Sequence, residues 1–145
     1  MIEVENIITK ELKLLGDNIS RRIDEKGLKD TGQSQEFNIN SQDNKVQLIG
    51  VDYIYYLDKG RGPGKFPPVN VIREYVQRNN IRIADYNENQ TVYLIAKGIA
   101  DRGSVIFRDK SKGIQLDGLI DECLKRIYNQ VGEAAIIDVK KMLKI

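Results

Sequence analysis

The sequence predicts an α+β fold, in which a small antiparallel sheet packs against several helices and long helices lie at both ends of the chain. Apolar residues recur every three or four positions over 4–23 and over 119–143, the spacing of one face of an amphipathic helix. Apolar and polar side chains alternate around Phe37 and Ile39 and again around Val46 and Leu48, which is typical of strands. With 145 residues, 41% hydrophobic and 30% charged, the composition is that of a globular protein, and we expect a single domain over 1–145.

The N-terminal helix is expected over about 3–26. Gly27, or the DTGQS run at 30–34, follows the last apolar position of its stripe and should end it. We interpret the stripe as a face that packs into the core; a face that docks onto a neighbouring subunit is the alternative.

A β-hairpin is expected over about 35–51, with strands near 35–40 and 45–51. The polar SQDN run at 41–44 would form the turn between them. The period then changes, because Tyr53, Tyr56 and Leu57 share a helical face. This pattern predicts one or two turns of helix that end at Gly60.

A glycine/proline loop is expected over 60–68, and its two final prolines suit the entry into a helix from 69 onward. That helix should stop near RNN at 78–80, since asparagine tolerates the left-handed cap. The next helix should run from a cap at Asn87 to a stop at Gly103.

The segment SVIF at 104–107 is expected to be a short strand or an ordered loop. After a charged turn, a long C-terminal helix is expected over about 116–143, bent or broken at Gly132. Helices at both ends and in the middle would then cover the small sheet.

Two absences argue against an enzyme. The chain has no histidine, so the usual general base at neutral pH is missing, and Cys123 is its only cysteine, which excludes an intrachain disulfide and a cysteine-cluster zinc site. We expect Cys123 to be a buried thiol. Solvated helix faces account for the carboxylates better than an acidic metal site does. We therefore expect no catalytic activity and no cofactor.

The glycine loop does not fit a phosphate-binding motif. A P-loop requires G-x-x-x-x-G-K-[ST], whereas here Phe66 follows Lys65 in place of the hydroxyl residue. Pro63 also removes a backbone donor from the loop, and the third glycine of a G-x-G-x-x-G fingerprint is absent.

Residues 59–82 are locally basic and lie among tyrosines, a combination that single-strand nucleic-acid binders use. The basic residues are Lys59, Arg61, Lys65, Arg73, Arg78 and Arg82. One interpretation has the tyrosines packed and the basic side chains solvated. The other is a nucleic-acid-binding module that contacts phosphates without reading sequence. The net charge of +2 is too small to favour nucleic acid by itself.

Two stretches resemble small neck and tail-completion proteins of tailed bacteriophages. They are YIYYLDKGRGPGKFPPVNVIREYV at 53–76 and YLIAKGIADRGSVIF at 93–107, preceded by DTGQS, FNIN and VQLIGVDY in the order of that family's hairpin. The resemblance covers roughly residues 28 to 110. Asn79–Asn80 replaces the Lys-Gly or Arg-Gly that often ends the helix, and Tyr75 stands where tryptophan is common.

The resemblance implies a virion structural protein of the head–tail connector, tail-completion or minor tail type, with no catalytic residues. It implies a homo-oligomeric ring of six or twelve copies that contacts the portal and adjacent neck or tail proteins. The chain would be assembled in the host cytoplasm and located in the virion, with packaged DNA as a non-specific contact. Its early acidic residues and lack of a long apolar run predict neither a signal peptide nor a membrane span.

The glycine/proline loop and its flanks are the expected assembly interface. Glycines permit turns that other residues resist, prolines reduce the entropy lost on docking, and Tyr and Arg are enriched at interface hot spots. The alternative is a surface turn that only supports the next helix. The candidate interface residues are Tyr53, Tyr56, Lys59, Arg61, Pro63, Lys65, Phe66 and Arg73.

Overall fold

The computed structural model describes residues 2–29, 35–42 and 45–143, and it confirms the α+β class with a small antiparallel sheet and long terminal helices. In chain order the elements are α1 (Ile2–Glu25), β1 (Asn38–Gln42), β2 (Lys45–Ile49), α2 (Ile54–Lys59), α3 (Val69–Arg78), α4 (Glu88–Arg102), α5 (Val105–Arg108), a 3₁₀ turn (Lys110–Lys112) and α6 (Leu116–Leu143).

The contacts divide the chain into two compact units. Unit 1 comprises Met1–Ile54 and Ile114–Ile145, and unit 2 comprises Tyr55–Gly113. The sequence predicts a single domain over 1–145, and both units fall within it. Whether the two units form one domain stays a prediction. The two units are described separately below.

Unit 1 is built around α1, which packs against α6 and against both strands of the hairpin. The second half of the apolar stripe of α1 is buried as expected of a core face and packs with α6, whereas Val4, Ile8 and Leu12 in its first half are only half-buried. Its buried apolar side chains are Leu15, Ile19, Ile23, Ile114, Leu119 and Cys123. The predicted break in α6 is wrong, because the helix continues through Gly132.

The end of α1 follows the predicted glycine signal. Gly27 has φ +68°, its amide donates to the carbonyl of Asp24 at 3.1 Å, and the amide of Leu28 donates to that of Ile23 at 2.9 Å. This pair of bonds is a Schellman motif, which satisfies carbonyls that the last turn leaves unpaired. The DTGQS run at 30–34 lies outside the described residues.

The hairpin is antiparallel, with Asn38 opposite Ile49 and Gln42 opposite Lys45. The first strand therefore lies later than the predicted 35–40, and the second ends before 51. Ser41 and Gln42, assigned to the turn, instead continue the ladder, because backbone pairing needs no apolar side chain to extend it. The rest of that predicted turn, 43–44, lies outside the described residues.

Unit 2 contains α3 packed on α4, with a small core whose buried apolar members are Leu57, Val76, Val92 and Ala96. The predicted cap at Asn87 is confirmed: its side chain accepts the amide hydrogen of Gln90, and the Gln90 side chain accepts that of Asn87, each at 2.9 Å. This reciprocal capping box satisfies two amides of the first turn of α4.

The end of α3 also lies where the sequence predicts. Asn80 has φ +49°, its amide donates to the carbonyl of Gln77, and the amide of Ile81 donates to that of Val76. Asparagine thus occupies the left-handed position of a Schellman motif in place of glycine, which its short polar side chain allows.

The segment at 104–107 is neither a strand nor a loop. Ser104 accepts the amide hydrogen of Phe107 on its side chain and begins the single turn α5. The apolar residues Val105, Ile106 and Phe107 suggested a strand, but Ser104 before them is an N-cap. Within the described ranges only β1 and β2 pair as strands.

Candidate functional site

The glycine/proline loop of unit 2 lies on the junction between α4 and α5. The amide of Arg61 donates to the Ser104 hydroxyl at 2.9 Å, and the amide of Ser104 donates to the Arg61 carbonyl at 2.8 Å. Farther along the loop, the amide of Gly64 donates to the carbonyl of Ala100 at 2.8 Å. The two sequence blocks at 53–76 and 93–107 are therefore joined through backbone hydrogen bonds.

Two glycines allow this close approach. Gly60 has φ +76°, and a Cβ on it would collide with the backbone of Phe107. Gly103 has φ +82°, and a Cβ there would lie 2.9 Å from the Arg61 carbonyl oxygen. A side chain at either position would meet both backbone strain and fixed backbone atoms, so the loop requires glycine there.

Phe107 and Lys110 extend the site beyond the predicted residues. The Lys110 ammonium lies 4.5 Å from the Phe107 ring centroid and donates to the carbonyl of Lys59 at 2.5 Å. Sequence reasoning missed both residues, and it missed the role of Ser104. A serine between Gly103 and an apolar run is a cap signature that could have been recognised, whereas no local pattern indicates Lys110.

The tyrosines do not form a core. Tyr53 is 55% exposed, Tyr56 is 42% exposed and Tyr75 is 43% exposed, so the interpretation that they pack inside the protein is wrong. Leu57 is the apolar residue of α2 that is buried. A helix this short has room for few inward positions, and the aromatic side chains of Tyr55 and Tyr56 remain on the surface in an edge-to-face pair.

Phe66, in the glycine/proline loop, packs beside a second exposed aromatic residue, Tyr93. Its ring centroid lies 5.9 Å from that of Tyr93 on α4, and both side chains are about half exposed. Beside Tyr93 is a groove of about 290 Å³ with largely apolar walls. The groove is lined by Tyr86, Asn89, Gln90, Tyr93 and Leu94. We call it the α4 groove.

The basic side chains of this region are divided between internal partners and solvent. Lys59 pairs with Asp58 at 3.4 Å, Arg78 pairs with Glu74 at 3.8 Å, and Arg73 donates to the Asn89 side chain at 3.0 Å. Lys65 and Pro63 are exposed at the tip of the loop, and the Arg61 residue is half-buried. Only part of the predicted basic surface is therefore available to an outside partner.

Charge is distributed unevenly between the two units. Tyr55–Gly113 contains eleven Lys or Arg and six Asp or Glu, a net charge of +5. The remainder contains twelve Lys or Arg and fifteen Asp or Glu, a net charge of −3. A partner that approaches unit 2 thus meets a positive field that the whole-chain charge of +2 understates.

Unit 1 contains a buried polar cluster around Glu11. Its carboxylate accepts from Arg126 Nε at 2.8 Å and from Gln130 Nε2 at 2.7 Å, and the Cys123 thiol lies 3.6 Å from its carbonyl oxygen. The hydrogen bond from Arg126 lowers the pKa of Glu11 although burial opposes this, and burial raises the pKa of Cys123. A paired carboxylate and a protonated thiol favour a structural clamp between α1 and α6 over proton transfer.

Among the side chains that the structure describes, in residues 3–29, 35–42 and 45–136, no group of three or more Cys, Asp or Glu is placed to hold a metal ion. None of the helices described for this chain is both long and apolar enough to cross a membrane.

The chain matches no protein-family model, and neither a curated protein nor a solved structure shows significant similarity to it.

Proposed function

We propose that this chain is a virion structural protein of a tailed bacteriophage, a ring-forming head–tail connector (neck) or tail-completion component that acts by protein–protein assembly and not as an enzyme. The observation that carries the proposal is the pair of hydrogen bonds between Arg61 and Ser104, one from the Arg61 amide to the Ser104 hydroxyl and one from the Ser104 amide to the Arg61 carbonyl. They join the two sequence blocks on which the resemblance depends, so the blocks form one surface.

That surface has the properties of a docking site. Large apolar side chains remain exposed in unit 2, among them Phe66 and Tyr93, whose rings are neighbours, and patches of such side chains mark interaction surfaces. The exposed large apolar side chains of unit 2 are those of Tyr55, Tyr56, Phe66, Val69, Val71, Tyr75, Tyr86, Tyr93, Leu94, Val105 and Phe107. Because the loop is held by hydrogen bonds and prolines before any partner arrives, docking loses less conformational entropy.

The proposed partners are other copies of this chain in a ring of six or twelve, the portal, and adjacent neck or tail proteins. The proposed location is the virion, and no cofactor is required. The test is quantitative mass spectrometry of purified virions, scaled to the copy number of the portal protein. About six or twelve copies per particle are expected, and absence from purified particles would overturn the proposal.

A nucleic-acid-binding module is the second candidate, and the net charge of +5 on Tyr55–Gly113 favours it. Contacts to phosphates release counterions, so affinity would fall steeply between about 50 and 200 mM salt. Fluorescence anisotropy with single- and double-stranded DNA over that range tests it. Affinity that is tight and falls with salt supports this candidate, and lack of binding at the lowest salt excludes it.

A further inference from the structure

Two large apolar side chains on α6, Leu124 and Tyr128, are exposed to solvent, and we call the side of the helix that they occupy the outer face of α6. Tyr128 is 81% exposed and Leu124 is 56% exposed, while Leu119 and Cys123 on the opposite face are buried. Asp121 lies one helical turn before Leu124 and is also exposed. A tyrosine this exposed gains nothing from the folding of its own chain, whereas tyrosine is a residue type that anchors interfaces.

The α4 groove of unit 2 has the size and lining to accept such a side chain. The groove is an open depression of about 290 Å³ with apolar walls, so an incoming ring can lie against them. Its walls include the rings of Tyr86 and Tyr93, which offer edge-to-face or stacked contacts to an incoming ring.

The two features lie in units of opposite net charge, and charged side chains lie beside both. Lys65 is exposed and precedes Phe66, whose ring contacts Tyr93 in the groove wall. Arg73 reaches the rim by its hydrogen bond to Asn89. On α6 the exposed charged residues around Leu124 are Asp121, Glu122 and Lys125, so acidic side chains outnumber basic ones there. The net charges of the two units, +5 and −3, have the same complementarity over a longer range.

We infer that the outer face of α6 on one copy of this chain docks into the α4 groove of a second copy. Tyr128 enters the groove, and Asp121 lies on the side of Lys65 and Arg73. The contact joins different surfaces of the two copies, so it is heterologous and can repeat from copy to copy until a ring closes. The inference rests on the proposed ring assembly and names the two surfaces that form it.

The first test is photocrosslinking of the full chain with p-benzoylphenylalanine in place of Tyr128. Equal amounts of ¹⁴N- and ¹⁵N-labelled protein are mixed, so that mixed-isotope peptides identify crosslinks between copies. Crosslinks from position 128 to residues 55–113 of another copy are expected. The same probe in place of Ile49, which is exposed on β2, is the control and should give few of them.

The second test exchanges the charges. Asp121→Lys or Lys65→Asp alone should reduce the mixed-isotope crosslinks severalfold, and the two together should restore them. Tyr128→Ala should weaken self-association measured by sedimentation at least about tenfold, as the loss of an interface anchor does. Circular dichroism confirms that each variant is folded, which is expected because both charged residues and Tyr128 are exposed.

The outcomes separate this inference from the proposed function. Crosslinks from position 128 only to other proteins, or none to residues 55–113 in concentrated protein and in particles, overturn the inference even if virions contain the chain in ring stoichiometry. Crosslinks between copies from a chain that virions lack support the contact and overturn the virion role.

Discussion

The Ser104 hydroxyl of unit 2 accepts the amide hydrogen of Arg61 at 2.9 Å, while the Ser104 amide donates to the Arg61 carbonyl at 2.8 Å. The same hydroxyl caps α5 through the amide of Phe107 at 3.3 Å. One side chain thus fixes the glycine loop to the end of α4 and begins the following turn, which makes the loop a shaped feature of the fold.

Ser104→Ala should destabilise unit 2 by about 1–2 kcal/mol, because the variant loses an N-cap and leaves the partly buried Arg61 amide without its acceptor. Hydrogen exchange read by mass spectrometry should show faster exchange at residues 61 and 107. Ser41→Ala is the control, since that hydroxyl bonds to Glu5 on an exposed surface. Unchanged exchange at 61 in the Ser104 variant would contradict the role assigned to the hydroxyl.

Three glycine-to-alanine substitutions should distinguish a steric clash of the new Cβ from the backbone strain of a positive φ. Gly60→Ala meets the Phe107 backbone at φ +76° and should unfold or loosen unit 2. Gly64→Ala, at φ +125° with no atom within 4 Å of the new Cβ, should cost only the backbone strain, about 1–3 kcal/mol. Gly118→Ala in open space on α6 should stabilise by about 0.5–1 kcal/mol. Urea unfolding ranks the three variants by their free energy of unfolding. Equal losses of stability in the Gly60 and Gly64 variants would contradict the predicted collision at Gly60.

Local signals in the sequence were sufficient for the helix ends. Asn80, Asn87 and Gly103 each act through atoms within a few residues, so their caps could be predicted from neighbouring letters. The strand ends were less accurate, because Ser41 and Gln42 pair through their backbone and leave no alternation of apolar residues to recognise.

The long-range contacts could not be predicted. Arg61 and Ser104 are 43 positions apart, Lys59 and Lys110 are 51 apart, and Glu11 and Arg126 are 115 apart. Nothing in a single sequence specifies which distant polar groups meet, since that depends on how the helices pack. Gly60 and Gly103 were predicted as helix ends, but the close approach of a neighbouring backbone to each of them is visible only in three dimensions.

Stability should fall in acid through Glu11. Arg126 lowers its pKa below the ordinary 4.5, so the ion pair stabilises the fold at pH above that value and is lost as pH falls through the lowered pKa. Glu11→Gln should lower the free energy of unfolding by about 1–3 kcal/mol at pH 7. The loss should be smaller in acid, because there the wild type has also lost the contribution of the ion pair. Urea unfolding at pH 7 and pH 3 measures it, with Glu133→Gln on the exposed surface of α6 as control. A difference that does not shrink at pH 3 would contradict the assignment.

Cys123 should be unreactive in the folded protein. Its side chain is 1% exposed, and burial raises the pKa of the thiol, so little thiolate is present at neutral pH. Labelling with iodoacetamide should be at least about tenfold slower in native buffer than in urea, where the pKa returns to its ordinary range. Glu11→Gln should speed labelling if the clamp holds α1 against α6. Rapid native labelling of the wild type would show that the thiol is accessible.

Reversal of charge at the loop tip should block assembly without harm to the fold. Arg61 bonds to Ser104 through its backbone and Lys65 is exposed, so Arg61→Glu with Lys65→Glu leaves the loop's hydrogen bonds intact. Circular dichroism and Tm should stay near wild type, while electron microscopy of lysates should show heads and tails unjoined and infectivity should fall by orders of magnitude. Lys29→Glu with Lys45→Glu makes the same change in charge on exposed positions of unit 1 and should leave infectivity near wild type. Normal particles from the loop variant would mean that the loop only supports α3, because an interface that meets a partner through positive charge cannot tolerate its reversal.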